Sequence, residues 1–285
     1  MQGIDNIELS QAATKLYEAW IEQRMATGHV ALLAGLADLN AEYYQNESAG
    51  LLIAPAFGIG SELAASRPNG ASIFPETALM ARLPITAGKS AYLQAAAVNA
   101  RTGVIGAHHT LDLSMHKGAL LIVEAGHGGR IKVAAGYWRY TRRQAGAVAQ
   151  GGYGLLDYPL RDGDDQGASV SLFARVGVSD GVTTSYRGGW QVGILLGGLV
   201  PRRPEEQLSF GINQGVLSTR YCTQARHGHA RVSGTETGFE LTYSDAVLPH
   251  LRIQPDLQYI VGASGSRNAD VVVLGLRLTA SFPAI

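Results

Sequence analysis

Apolar and polar residues alternate along much of the second half of this chain. Leu251, Ile253, Leu257 and Tyr259 are separated by Arg252, Gln254, Asp256 and Gln258. Val272, Leu274, Leu276, Leu278, Ala280 and Phe282 alternate with Arg277, Thr279 and Ser281. The same period of two recurs over 169–179, 190–196, 207–213 and 239–243, and it predicts strands with two unlike faces. A one-residue slip would carry arginine into the apolar environment, so the register is strongly specified. Further strands are predicted at 15–24, 30–39, 78–87, 90–99, 118–125, 130–140 and 151–160, although the pattern at 30–39 does not assign faces. The total is about thirteen strands, many near the ten residues that a tilted strand needs to cross a bilayer. No segment has a long helical period, and 47–66 has room for one short helix.

Alternation alone leaves two environments open for the apolar faces, a soluble core or lipid. Thirteen or so strands are many for one soluble sheet, and the polar faces carry glycine and isolated arginines rather than dense Lys and Glu. Charged residues make up only 16% of the chain, and Lys+Arg and Asp+Glu are equal at 23 each. That balance gives no basic surface for nucleic acid. Cys222 is the single cysteine, which excludes an intrachain disulfide. No apolar run reaches the length of a membrane helix. The opening residues MQGIDNIELSQ lack the basic and apolar regions of a signal peptide.

The connections alternate in length, as barrel porins do with short periplasmic turns and long external loops. Segments 40–77, 100–117, 218–236 and 264–269 fall on one side; 87–89, 126–129, 200–206 and 244–250 fall on the other, while 161–167 and 179–184 are nearly equal in length. If the last strand ends in the periplasm, residues 1–12 are expected outside the cell. An odd strand count then implies further strands and a signal peptide upstream, making the chain an N-terminally truncated sequence.

The stretch ETGFELTYSDAVLPHLRIQPDLQYIVGASGSRNADVVVLGLRLTASF (236–282) resembles the C-terminal pattern of the carbohydrate-selective outer-membrane porins, the OprB family. LYEAWIEQ (16–23), AGLADLNAEYY (34–44), SIFPETALMARL (72–83) and GGYGLLDYPL (151–160) match in the same order. The closing Phe282 is followed here by Pro283, Ala284 and Ile285. The resemblance implies an all-β, transmembrane antiparallel β-barrel of porin type. It would have about sixteen strands, with about thirteen in this chain. It implies one domain over 1–285, with 40–77 as a constriction loop within it, and passive diffusion of small sugars across a bacterial outer membrane. Partners would be small carbohydrates, outer-membrane lipid and the barrel-assembly machinery; monomer and trimer both stay open. No cofactor, metal or nucleic acid is expected. The competing reading is a soluble or surface-exposed β-sheet carbohydrate-binding protein.

A sugar path needs weak contacts of both signs, with aromatics for the apolar ring faces. The polar faces predict a wall carrying Arg82, Lys132, Arg175, Arg187, Arg252 and Arg277 against Glu18, Glu22, Glu124, Glu240 and Asp256. Constriction candidates are Asp38, Asn40, Glu42, Tyr43, Tyr44, Asn46 and Glu47, with Trp20 and Trp138 as inward aromatics. Trp190, Tyr243, Tyr259 and Phe282 read as girdle aromatics at the membrane interface. His227 and His229 near Cys222, and the pair His108 and His109, have no partners at metal-ligand spacing. No nucleophile elbow or phosphate loop is present, so no enzyme is indicated.

Overall fold

The computed structural model describes the chain apart from residues 1, 5–13, 15, 26–27, 67–69, 103–113, 145, 164–167, 202, 204, 229–230, 268 and 283–285. His108, His109, His229 and the terminal Pro283, Ala284 and Ile285 therefore lie outside the described residues. Among the described residues, thirteen strands form one antiparallel sheet in chain order. They are β1 (Ala19–Arg24), β2 (Ala31–Ala37), β3 (Ala78–Ala87), β4 (Ala91–Asn99), β5 (Ala119–Gly128), β6 (Lys132–Gln144) and β7 (Ala147–Arg161). They continue as β8 (Ser169–Ser179), β9 (Tyr186–Gly197), β10 (Gln207–Leu217), β11 (Thr235–Leu248), β12 (Leu251–Val261) and β13 (Val271–Ala280). β1 and β13 are the two edges of this sheet. The predicted strands all appear. β1 begins later than expected, at Ala19, while β6 and β7 run longer and leave only residues 145–146 between them.

Register fixes the faces. Thr242 lies opposite Asp256, and Glu240 opposite Gln258, which puts four polar side chains on the concave side, all buried. Their neighbours Leu241, Leu257 and Tyr259 point outward and are exposed. On β13, Leu274 is 80% exposed, Leu276 65% and Leu278 62%. Large apolar side chains stand outward on every strand from β1 to β13. A continuous apolar belt of that extent suits lipid rather than water.

The concave side is not uniformly polar, which corrects the simple division into lipid-facing apolar and lumen-facing polar residues. Along β2–β6, Leu33, Met80, Val98, Leu120, Ile122, Trp138 and Tyr140 point inward and are buried. They pack against Tyr43, Tyr44, Ile59 and Leu63 of the long β2–β3 connection. This explains the ambiguity at 30–39: Leu32 is exposed on the outer face and Leu33 is buried on the inner one. The connection folds inward as two single 3₁₀ turns, Glu47–Ala49 and Pro55–Phe57, and the short α1 (Ser61–Ala64).

Two features depart from expectation. The β10–β11 connection forms α2 (Thr219–His227), whose Ser218 side chain caps the helix by accepting from the Tyr221 N–H at 3.2 Å. Its Cys222 is buried with Tyr186, Leu217 and Val232, and Ala65 of the inward segment packs against the same cluster. A helix this short and polar leaves almost no period to read. Residues 2–4 do not form an external loop. Gln2 donates to Glu236 and Asn213, and the Ile4 carbonyl accepts from Gln258 at 3.2 Å, all on the concave face.

Candidate functional site

Side chains on many strands hold the inward segment, those of β4 and β5 through the Glu42 carbonyl and the Tyr44 N–H, and five further strands do so as follows. On β7, Asp157 accepts from the Glu47 N–H at 3.2 Å, the Ser48 N–H at 3.1 Å and the Asn46 amide at 3.1 Å. On β8, the Arg175 guanidinium donates to the carbonyls of Ala56 and Gly58 at 2.5 and 2.7 Å and lies over the Tyr44 ring. On β9, Gln191 donates to Asn46 at 3.1 Å. On β11, Glu240 accepts from the N–H groups of Ile53 and Ala54. On β12, Gln254 donates to the Leu51 carbonyl at 2.7 Å. Irregular backbone at membrane depth needs such partners, because lipid supplies none.

Glycines make room for this segment. A Cβ at Gly211 would stand 2.6 Å from Leu52 and Phe57, and one at Gly177 would collide with the Glu62 carboxylate. Glu62 is fully buried beside Tyr44. Burial pushes its carboxyl above the ordinary range, and the charge of Arg175 pulls the other way.

Among the described residues, two sizeable cavities border the segment. One, about 360 Å³, is lined by the segment's residues between Pro55 and Glu76 together with Gln2, Gly3, Thr102 and Tyr186. Phe74, 42% exposed, contributes an aromatic face to it. The other, about 350 Å³, lies toward the β5–β6 turn and is lined by Glu42, Gln45, Glu47, Tyr92, Gln94, Glu124 and Lys132. It carries both signs: Lys132 Nζ stands 4.0 Å from Glu47. Buried Arg82 pairs with Glu42 of this lining and, at 3.4 Å, with Glu22. Glu124 is spanned by donors: Tyr92 at 2.9 Å, Gln94 at 3.0 Å and Tyr153 at 2.5 Å.

The remaining sequence-selected residues divide clearly. Glu18 accepts from the Asp38 N–H at 3.0 Å, and Asp38 accepts from Tyr17 and the Asn40 N–H. Burial pushes the Asp38 carboxyl up, opposed by these donors. Asn40 braces the segment internally through the carbonyls of Tyr43 and Gly58, at 3.1 and 3.2 Å. Asp256 is buried beside Gln258, 2.9 Å from its amide. Arg252 pairs with Glu205 at 2.8 Å in the β9–β10 connection. Arg277 lies opposite Gln254 and is exposed on the edge strand.

Trp20 shares the Glu22 face of β1 and is about half exposed. Trp138 faces inward as expected but is completely buried beneath the segment, as is Tyr43, so neither offers a surface to solute. Arg187 is not on the inner wall. The β9–β10 register shifts near this end of β9; Tyr186 turns inward, and Arg187 is exposed against Gly181 of the β8–β9 turn. Gln45, Phe74, Tyr92 and Gln94 line the two cavities without being among the residues expected from the sequence. The alternation of Tyr92, Gln94 and Ala96 against Leu93 and Ala95 carried the signal for two of them. Among the described residues, no His, Cys, Asp and Glu group has metal-binding geometry.

The model of the family described as carbohydrate-selective porin, OprB, matches residues 1–153 and 140–282. Among solved structures, the chain is similar to the high-pH form of OprB from Pseudomonas putida. The TM-score is 0.78 at 20% identity, over 92% of this chain and 72% of that one. An anion-selective porin from Comamonas acidovorans is similar at 11% identity and TM-score 0.52, over 93% and 74% of the two chains. The outer-membrane channel DcaP of Acinetobacter baumannii is similar at 11% and 0.53, over 89% and 80%. At these identities the solved structures speak to the fold alone. No curated protein matches.

Proposed function

The chain belongs to the carbohydrate-selective porin family OprB, a family of outer-membrane sugar channels, and from that premise we propose how its interior handles sugars. Solute passes by diffusion, and the inward segment 40–77 is the constriction. The supporting observation is the seating of that segment. Side chains from β7, β8, β9, β11 and β12 all bond its backbone or its Asn46 side chain. A strip fixed on so many sides narrows the path to a constant width.

Sugars would meet Phe74 and its apolar neighbours in one cavity and Glu42, Gln45, Lys132, Tyr92 and Gln94 in the other. Hydroxyls both donate and accept, so a wall with both signs offers several weak contacts and no strong trap. The other wall charges, notably Arg175, Glu240 and Asp157, serve the segment rather than the solute. Outer-membrane lipid covers the outward apolar belt, and assembly machinery inserts the barrel.

The test uses protein extracted from outer membranes and placed in planar bilayers. Neutral sugars should reduce the ion current through single channels. R82A and E42A should each weaken that block by about fivefold, the worth of one hydrogen bond. Block unchanged in both variants would remove the Arg82–Glu42 pair from the path. A folded protein that stays in water without detergent would favour the soluble carbohydrate-binding reading instead.

A further inference from the structure

The outward face of β3–β6 carries a feature that solute passage does not use. Ala81, Ala95 and Ala97 floor an apolar groove of about 520 Å³, walled by larger side chains of β2, β5 and β6. The register sets Ala81 opposite Ala97, Ala97 opposite Leu121 and Leu121 opposite Arg139. The groove therefore ends on a guanidinium, on the side of the sheet from which 40–77 and 100–118 emerge.

Arg139 continues the lipid-facing row of Val133 and Tyr137 on β6 and is exposed. Arg142 and Arg143 follow on the same strand, and His116 and Lys117 stand just before β5, all exposed. Among the described residues, no ion pair engages Arg139, Arg142 or Arg143. An arginine on a lipid-facing wall is costly unless an anion meets it near the interface. Guanidinium groups match phosphate oxygens two at a time.

We propose that this groove and its arginine rim hold a phosphate-bearing lipid of the outer leaflet, with lipid A as the occupant. An acyl chain lies along the three alanines, and the phosphate sits on Arg139 with Arg142 and Arg143. The proposal rests on the outer-membrane reading and on the orientation that puts 40–77 outside. Charge complementarity selects the occupant: an uncharged lipid fills the groove and leaves the three cations unmet.

The experiment titrates detergent-purified protein with diphosphoryl lipid A, dephosphorylated lipid A or inorganic phosphate, followed by native mass spectrometry. Wild type should hold the diphosphoryl form about tenfold tighter than the dephosphorylated one. The triple variant R139A/R142A/R143A should lose that preference. Ala97→Leu, which fills the groove and leaves the arginines, should weaken both lipids. Should the triple variant not fold, R139Q carries the same comparison. Preference retained without the arginines, binding unaffected by A97L, or displacement of the lipid by inorganic phosphate at equal concentration would each overturn the proposal. Single-channel conductance is read in parallel and should match wild type in every variant. Its absence in the wild type would strike the channel reading instead.

Discussion

The Glu240 carboxylate on β11 accepts a hydrogen bond from the backbone N–H of Ala54 at 2.9 Å, across 186 residues of chain. Its second oxygen accepts from the Ile53 N–H. One wall carboxylate thus satisfies two adjacent donors of a segment with no ladder of its own. Glu240→Ala should leave both N–H groups unpaired at a cost of about 1–3 kcal/mol. The expected outcome is a lower temperature for loss of the compact gel band and a noisier single-channel current. Unchanged noise would mean that Glu240 is a wall charge only.

Arg175 holds the same segment from the opposite charge. It donates to two carbonyls and faces buried Glu62. Arg175→Ala strands both carbonyls and the carboxylate, an effect of about 3–5 kcal/mol. Arg175→Lys should recover only part of the loss, since a single ammonium does not reproduce the planar fork. Thermal unfolding in detergent measures both.

Gly211 tests the fit of the segment against the wall. A Cβ there would press on Leu52 and Phe57 at 2.6 Å. Gly211→Val should cost about 1–3 kcal/mol and widen the channel by unseating the segment. Gly154→Ala is the control, because its Cβ would meet only the Ala134 carbonyl at 3.9 Å. Conductance and thermal unfolding of the two variants should differ accordingly.

Glu62 gives a pH dependence with a definite sign. Burial raises its folded-state pKa above the unfolded value of about 4.3. The folded form then binds more protons, so this contribution is fully present below about pH 4 and lost as pH rises through the folded pKa. Glu62→Gln removes the titration. Its stability relative to wild type should rise between about pH 4 and neutrality and be flat below. A constant difference across that range would place Glu62 in solvent contact.

Strand number, faces and register were readable because lipid and a polar interior enforce a period of two. Leu257 and Tyr259 against Asp256 and Gln258 show it plainly. The reading weakened where the inner face is apolar too, as at Leu32 and Leu33, because the inward segment supplies a second core that alternation does not announce. The candidate charges were largely on the inner wall, but their partners were invisible. Nothing local to Arg175 or Glu240 says that it meets a backbone more than a hundred residues away. Arg187 failed for another reason: a register shift reverses faces without a mark in the sequence.

Liposome swelling measures whether the channel selects sugars. Liposomes carrying the outer-membrane protein are diluted into a neutral sugar and, separately, into an uncharged non-sugar solute of equal size. Swelling should occur in both and be clearly faster in the sugar. Equal rates, or no swelling in the sugar, would rule out a sugar-selective channel.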